Sequence, residues 1–116
     1  LGMESKVLPF EMVQGKGSTD VGDVSWVVPT TGLRTATWVP GTTAHSWQAI
    51  AAGGTSIGIK GMQVAAKTLA LTAMDLFRNV ELINKAKKEL LERRGKDFQY
   101  KALLGDREPP LDYRLP

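Results

Sequence analysis

Residues 56–77, SIGIKGMQVAAKTLALTAMDLF, constrain this chain more than any other stretch. Ile59, Met62, Ala66, Leu69, Ala73 and Leu76 recur at helical spacing and form one apolar stripe. Ile57, Val64, Leu71 and Met74 widen that stripe, which predicts a long helix buried over much of its surface. Gly58, Gly61 and Ala65 carry little bulk, so one turn can approach another backbone closely. Such a helix needs a sheet or several helices to cover it. The 116 residues allow one domain with a modest core, and few apolar residues remain for that task. The chain is short of cover.

The remaining segments predict an α/β pattern with few strands. VLPFEMVQ, residues 7–14, reads as a short strand that Pro9 pushes towards a sheet edge. Gly15 and Gly17 open a turn, and Ser18 is positioned to cap a short helix carrying Asp20 and Asp23 in its first turns, where exposed N–H groups favour negative charge. Pro29 ends that segment. LRTATWVP, residues 33–40, alternates as a strand, with Leu33, Thr35, Thr37 and Val39 on one face and Ala36 and Trp38 on the other. A short helix is predicted from about Trp47 to Ala52, capped by Ser46 and stopped by Gly53-Gly54. Asn79 caps a second amphipathic helix, VELINKAKKELLERR, closed by Gly95. Glu81–Lys85, Lys85–Glu89, Lys88–Glu92 and Glu89–Arg93 lie four residues apart along it. The tail from residue 96 to 116 contains Pro109-Pro110 and has no period, so it is expected to run extended over a surface.

Charge and composition exclude several classes of function. The net charge of +3 and isoelectric point near 9.3 come mostly from NKAKKELLERRGKDFQYK, where interleaved acids mark a solvated helix face rather than a nucleic-acid groove. No basic run alternates with aromatics, so nucleic acid is not an expected partner. No apolar run reaches the roughly 18 residues that span a bilayer. LGMESKVLPF lacks the regions of a signal peptide, and a cytoplasmic location is expected. There is no cysteine, which removes disulfides, thiolate metal sites and a cysteine nucleophile. The sequence opens on leucine, so a longer gene product is expected.

His45 is the only histidine, in the loop PGTTAHSW. A catalytic zinc usually takes three protein ligands, and this chain offers one imidazole and no thiolate. On residue types alone the ordinary-loop reading is favoured. Its position says more than its identity, because ligands in open α/β sheets bind beyond the carboxyl ends of strands. GKGST presents glycines and a helix start, but without the spacing of a P-loop. No nucleophile-elbow pattern surrounds Ser18, Ser25 or Ser46.

Taken in order, GKGSTDVGDVSWVVPT, TATWVPGTTAHSWQAIAAGG and the long small-residue helix resemble the carboxypeptidase G-like family of dinuclear metallopeptidases and amidohydrolases. Within it they look like the C-terminal part of the aminobenzoyl-glutamate utilization subfamily, and the charged helix and PPLDYR tail extend the likeness over nearly the whole chain. The resemblance implies the last segment of a zinc-peptidase-like catalytic α/β sandwich over residues 1–95, followed by the tail. It implies that His45 is one ligand of a site for two divalent ions, zinc or manganese, and that Gly17, Ser18, Thr19 and Asp20 line the substrate pocket. Thr19 and the adjoining N–H groups would meet the substrate carboxylate. Metal-activated water would attack the amide of an N-acyl amino acid such as aminobenzoyl-glutamate, with a glutamate moving the proton. The remaining metal ligands, that glutamate and the dimerising lid lie upstream in the family, and their motifs do not occur here. The upstream part of the same enzyme is therefore an implied partner, within a homo- or hetero-oligomer, and the segment alone is expected to be inactive. The alternative is a non-catalytic interaction module that buries its long helix against a partner or a second copy.

Overall fold

The computed structural model describes residues 6–12, 17 and 19–114. Over these residues the chain forms four helices: α1 (Val21–Val27), α2 (Trp47–Gly53), α3 (Ser56–Arg78) and α4 (Val80–Arg94). No strand occurs among the described residues, which corrects the expected α/β class. The reason is lack of a partner. Residues 33–37 and 39 have no regular structure, and no second extended segment lies beside them to build a ladder. Residues 7–12 likewise join no sheet, and residues 13 and 14 of that expected strand lie outside the described set.

Local signals set the helix ends. Ser46 Oγ accepts the Ala49 N–H at 3.2 Å and starts α2. Asn79 Oδ1 accepts the Glu81 N–H at 3.1 Å and starts α4 directly after α3. Gly95 closes α4 with φ 86°, a left-handed backbone that glycine adopts without a Cβ penalty. The start of α1 differs from expectation. Asp20 is its N-cap without a side-chain cap bond, Thr19 Oγ1 accepts the Val21 N–H at 3.2 Å instead, and Ser18 lies outside the described residues. Of the four charge pairs on α4, Lys88–Glu92 closes to 3.7 Å and Glu89–Arg93 to 2.5 Å, both well exposed.

The long helix forms, but it is not buried. Along α3 only Gly58 and Gly61 are buried, while Met62 and Leu69 are each 60% exposed. No apolar side chain is buried among the described residues. The total surface is 11079 Å², against about 6,200 Å² for a compact monomer of this mass. The radius of gyration is 18.4 Å, where about 13 Å is usual for this length. The shortage of cover read from the sequence is thus a property of the fold.

Where α3 does pack, it packs tightly. A Cβ on Gly58 would meet Gly53 Cα at 2.7 Å and the Ala52 carbonyl oxygen at 2.8 Å, so the end of α2 rests on the first turn of α3. A Cβ on Gly61 would meet Thr37 Cγ2 at 2.8 Å and the Ala36 carbonyl carbon at 2.9 Å, so the extended segment crosses one turn further on. The close approach predicted for these two glycines is present. No helix among the described residues is long and apolar enough to cross a membrane.

Candidate functional site

The loop from Val39 to Ser46 connects the extended segment to α2. Thr42 N–H donates to the Val39 carbonyl at 3.1 Å across the Pro40-Gly41 turn, and Gly41 has φ 86°. The Ser46 hydroxyl donates to the Thr43 carbonyl at 2.6 Å while its oxygen caps α2. These bonds leave His45 between two fixed ends. Its φ is 58°, and it is the one non-glycine residue with positive φ among those described. Its ring is exposed. A hollow of about 430 Å³ opens beside it, lined by Pro40, Gly41, Thr42, Thr43, Ser46 and Gln48.

The second expected site is the turn before α1. Thr19 is engaged locally: its carbonyl accepts the Gly22 N–H at 3.3 Å and its hydroxyl accepts the Val21 N–H. Asp20 accepts the Val24 N–H at its carbonyl at 3.3 Å, leaving the carboxylate without a hydrogen bond among the described residues. Gly17 and Thr19 are exposed, as is Asp20. A larger hollow, about 720 Å³, lies between α1, α3 and α4, with Phe10, Trp26, Leu76, Ile83 and Arg93 among its walls. Neither hollow is lined by His45, Gly17, Thr19 or Asp20, so the described members of the expected site do not meet in one cavity.

No group of three or more metal-ligating side chains occurs among the described residues. One imidazole does not make a catalytic metal site. The described residues therefore do not hold the implied ions by themselves.

A further cluster is one that the sequence patterns do not single out. The Tyr100 hydroxyl donates to Asp23 Oδ1 at 2.8 Å. That bond, with desolvation and then the negative charge of Asp23, holds the Tyr100 hydroxyl above the ordinary tyrosine value. Phe98 stacks on Trp26 with centroids 4.8 Å apart and 25° between planes. The Arg94 guanidinium lies 5.7 Å from the Phe98 ring centre and donates to the Trp26 carbonyl. The available signal is two matched spacings: Asp23 and Trp26 three apart on a helix, Phe98 and Tyr100 two apart in the irregular segment after α4. The helix start alone already accounts for Asp23, which masks its second role.

The likeness is to a hydrolase. The chain is 44% identical over 89 residues to a p-aminobenzoyl-glutamate hydrolase subunit of Escherichia coli (strain K12), a match covering 75% of this chain. It spans 18% of that relative's length. The resemblance read from the motifs, to the C-terminal part of an aminobenzoyl-glutamate utilization protein, holds. No family model matches the chain, and no solved structure matches it.

Proposed function

We propose that this chain is part of a metal-dependent amidohydrolase that cleaves an N-acyl amino acid such as p-aminobenzoyl-glutamate. His45 supplies one ligand to a site for two divalent ions, zinc or manganese, and Gly17, Ser18, Thr19 and Asp20 form part of the pocket wall. The other ligands come from the upstream part of the same enzyme, and the segment alone is inactive. Its likeness to a protein named as a hydrolase subunit supports the reaction class and a setting of more than one polypeptide. A cytoplasmic location belongs to the same reading.

The observation that carries the reading is the backbone of His45. A left-handed residue with a Cβ costs roughly 1–2 kcal/mol, and such strain concentrates at functional positions. Glycine would remove that cost. Here the loop holds an exposed imidazole in that conformation, next to a hollow, with both flanks hydrogen-bonded. A neutral imidazole is a common zinc ligand, and an exposed one leaves room for donors from other polypeptide.

The test is to express the chain in frame with its upstream coding sequence and assay amide hydrolysis with and without added metal. Activity should appear only with metal and vanish in His45→Ala. Full activity in that variant removes His45 from the metal site.

The exposed apolar faces favour a second reading, a non-catalytic module that buries α3 against a partner or a second copy. Sedimentation separates the two. A stable monomer with no exposed apolar patch defeats the module reading.

A further inference from the structure

Helix α1 has seven residues and none is buried. A helix this short does not sustain itself in water, so its place is set by what it touches. The contacts come from the end of α4 and the start of the tail. Asp23 and Trp26 sit one turn apart on one face of α1, and Tyr100 and Phe98 meet them in matching order. Arg94 ties the same point to α4 through the Trp26 carbonyl. Three different interactions, a hydrogen bond to a carboxylate, a ring stack and a guanidinium–carbonyl bond, thus converge on two residues of α1.

We propose that residues 94–100 form a clasp that positions α1 and, through it, the turn residues Thr19 and Asp20, with Tyr100 and Phe98 as positioning residues for substrate binding. The role in binding rests on the reading of that turn as pocket wall. The tail is then a working part of the pocket, although it touches no substrate. Loosening the clasp lets α1 drift, which weakens substrate binding and leaves the reacting groups untouched. The expected kinetic signature is a rise in KM with kcat held, as for lost uniform binding.

The experiment uses the chain joined to its upstream polypeptide, with metal and p-aminobenzoyl-glutamate, in a background where Trp38→Phe and Trp47→Phe leave Trp26 as the reporter within the chain. Upstream tryptophans are subtracted with a Trp26→Phe control. Phe98→Leu should shift Trp26 emission to longer wavelength. Tyr100→Phe should raise KM about threefold, the effect of one solvent-exposed hydrogen bond, and keep kcat within about twofold. Asp23→Asn combined with Tyr100→Phe should be no worse than the poorer single variant, since both act through one bond. Unchanged emission in Phe98→Leu overturns the clasp, and unchanged KM in Tyr100→Phe overturns its role in binding. If the unaltered protein hydrolyses nothing, the functional reading fails and the positioning role falls with it, while the emission still decides whether the clasp exists.

Discussion

Gly61→Ala is the sharpest test of how the His45 loop is held. In an open helix position this change stabilises by about 1 kcal/mol, because alanine is the better helix former. At Gly61 the sign reverses. The added Cβ would lie 2.8 Å from Thr37 Cγ2 and 2.9 Å from the Ala36 carbonyl carbon, with the Ala36 oxygen closer still, whereas ordinary contact begins at 3.4 Å. Two of these three atoms are backbone, so a side-chain rotation cannot relieve the clash. The extended segment must move away by about an ångström, and overpacking of this kind costs about 1–3 kcal/mol. Set against the helix gain, the net effect is a loss of up to about 2 kcal/mol, felt where segment 33–39 meets α3. Gly22→Ala is the control, since a Cβ there meets nothing within 4 Å and α1 should gain about 0.5 kcal/mol. The assay is amide hydrogen exchange across residues 33–65 together with circular-dichroism melting. Gly61→Ala should speed exchange near the contact and lower the melting midpoint, and Gly22→Ala should do neither. A Gly61→Ala protein that melts at or above the unaltered midpoint with unchanged exchange refutes the close packing and the reasoning built on it.

Other perturbations follow from the same geometry. His45→Gly should raise stability in denaturant by about 1 kcal/mol, by relieving the left-handed backbone, and should still abolish metal-dependent hydrolysis; a destabilised variant would contradict the strain argument. Because Tyr100 is held above its ordinary value, its hydrogen bond to Asp23 contributes fully below that value and is lost as pH rises through the raised one. Tyr100→Phe should delete this alkaline component, read by titrating tyrosinate absorbance alongside unfolding. Asn79→Ala should cost about 1 kcal/mol of helix stability by removing the α4 cap, while Asn79→Asp should retain it; circular dichroism distinguishes them.

What the sequence reveals about this fold stops at the range of one helical turn. Ser46, Asn79 and Gly95 act on backbone groups a few residues away, and the helices they bound begin or end at those points. The strand at 33–40 fails for the opposite reason. Its alternation is the same whether or not a neighbouring strand exists, and pairing is decided elsewhere in the polypeptide. The width of the α3 stripe likewise records a demand for burial, not its fulfilment. Small size at Gly58 and Gly61 is legible as permission for close approach, although the partners, Gly53 and Ala36, are not. His45 is legible as an exposed loop histidine. Its torsion angle is not, since φ depends on how both flanks are anchored. The Tyr100–Asp23 and Phe98–Trp26 contacts bridge more than seventy residues, beyond any periodicity in the chain.

The anchoring of that loop joins the packing to the chemistry. Segment 33–39 enters the loop and meets α3 at Gly61 through Ala36 and Thr37, while the α2 residues against Gly58 are Ala52 and Gly53, at the end of that helix away from the loop. The two glycines stand three residues apart, on neighbouring turns of one helix face. Helix α3 therefore bears on the loop's entry directly and on its exit only through the length of α2. Between those ends the Pro40-Gly41 turn and the Ser46 bonds fix the flanks, and His45 takes the left-handed backbone. Close backbone approach to α3 occurs at these two glycines, while Met62 and Leu69 on the stripe stay exposed. On the proposed reading of His45 as a metal ligand, polypeptide that closes over α3 would also steady the anchor of its loop to the roughly half an ångström such a ligand requires, so assembly and metal binding should be won or lost together.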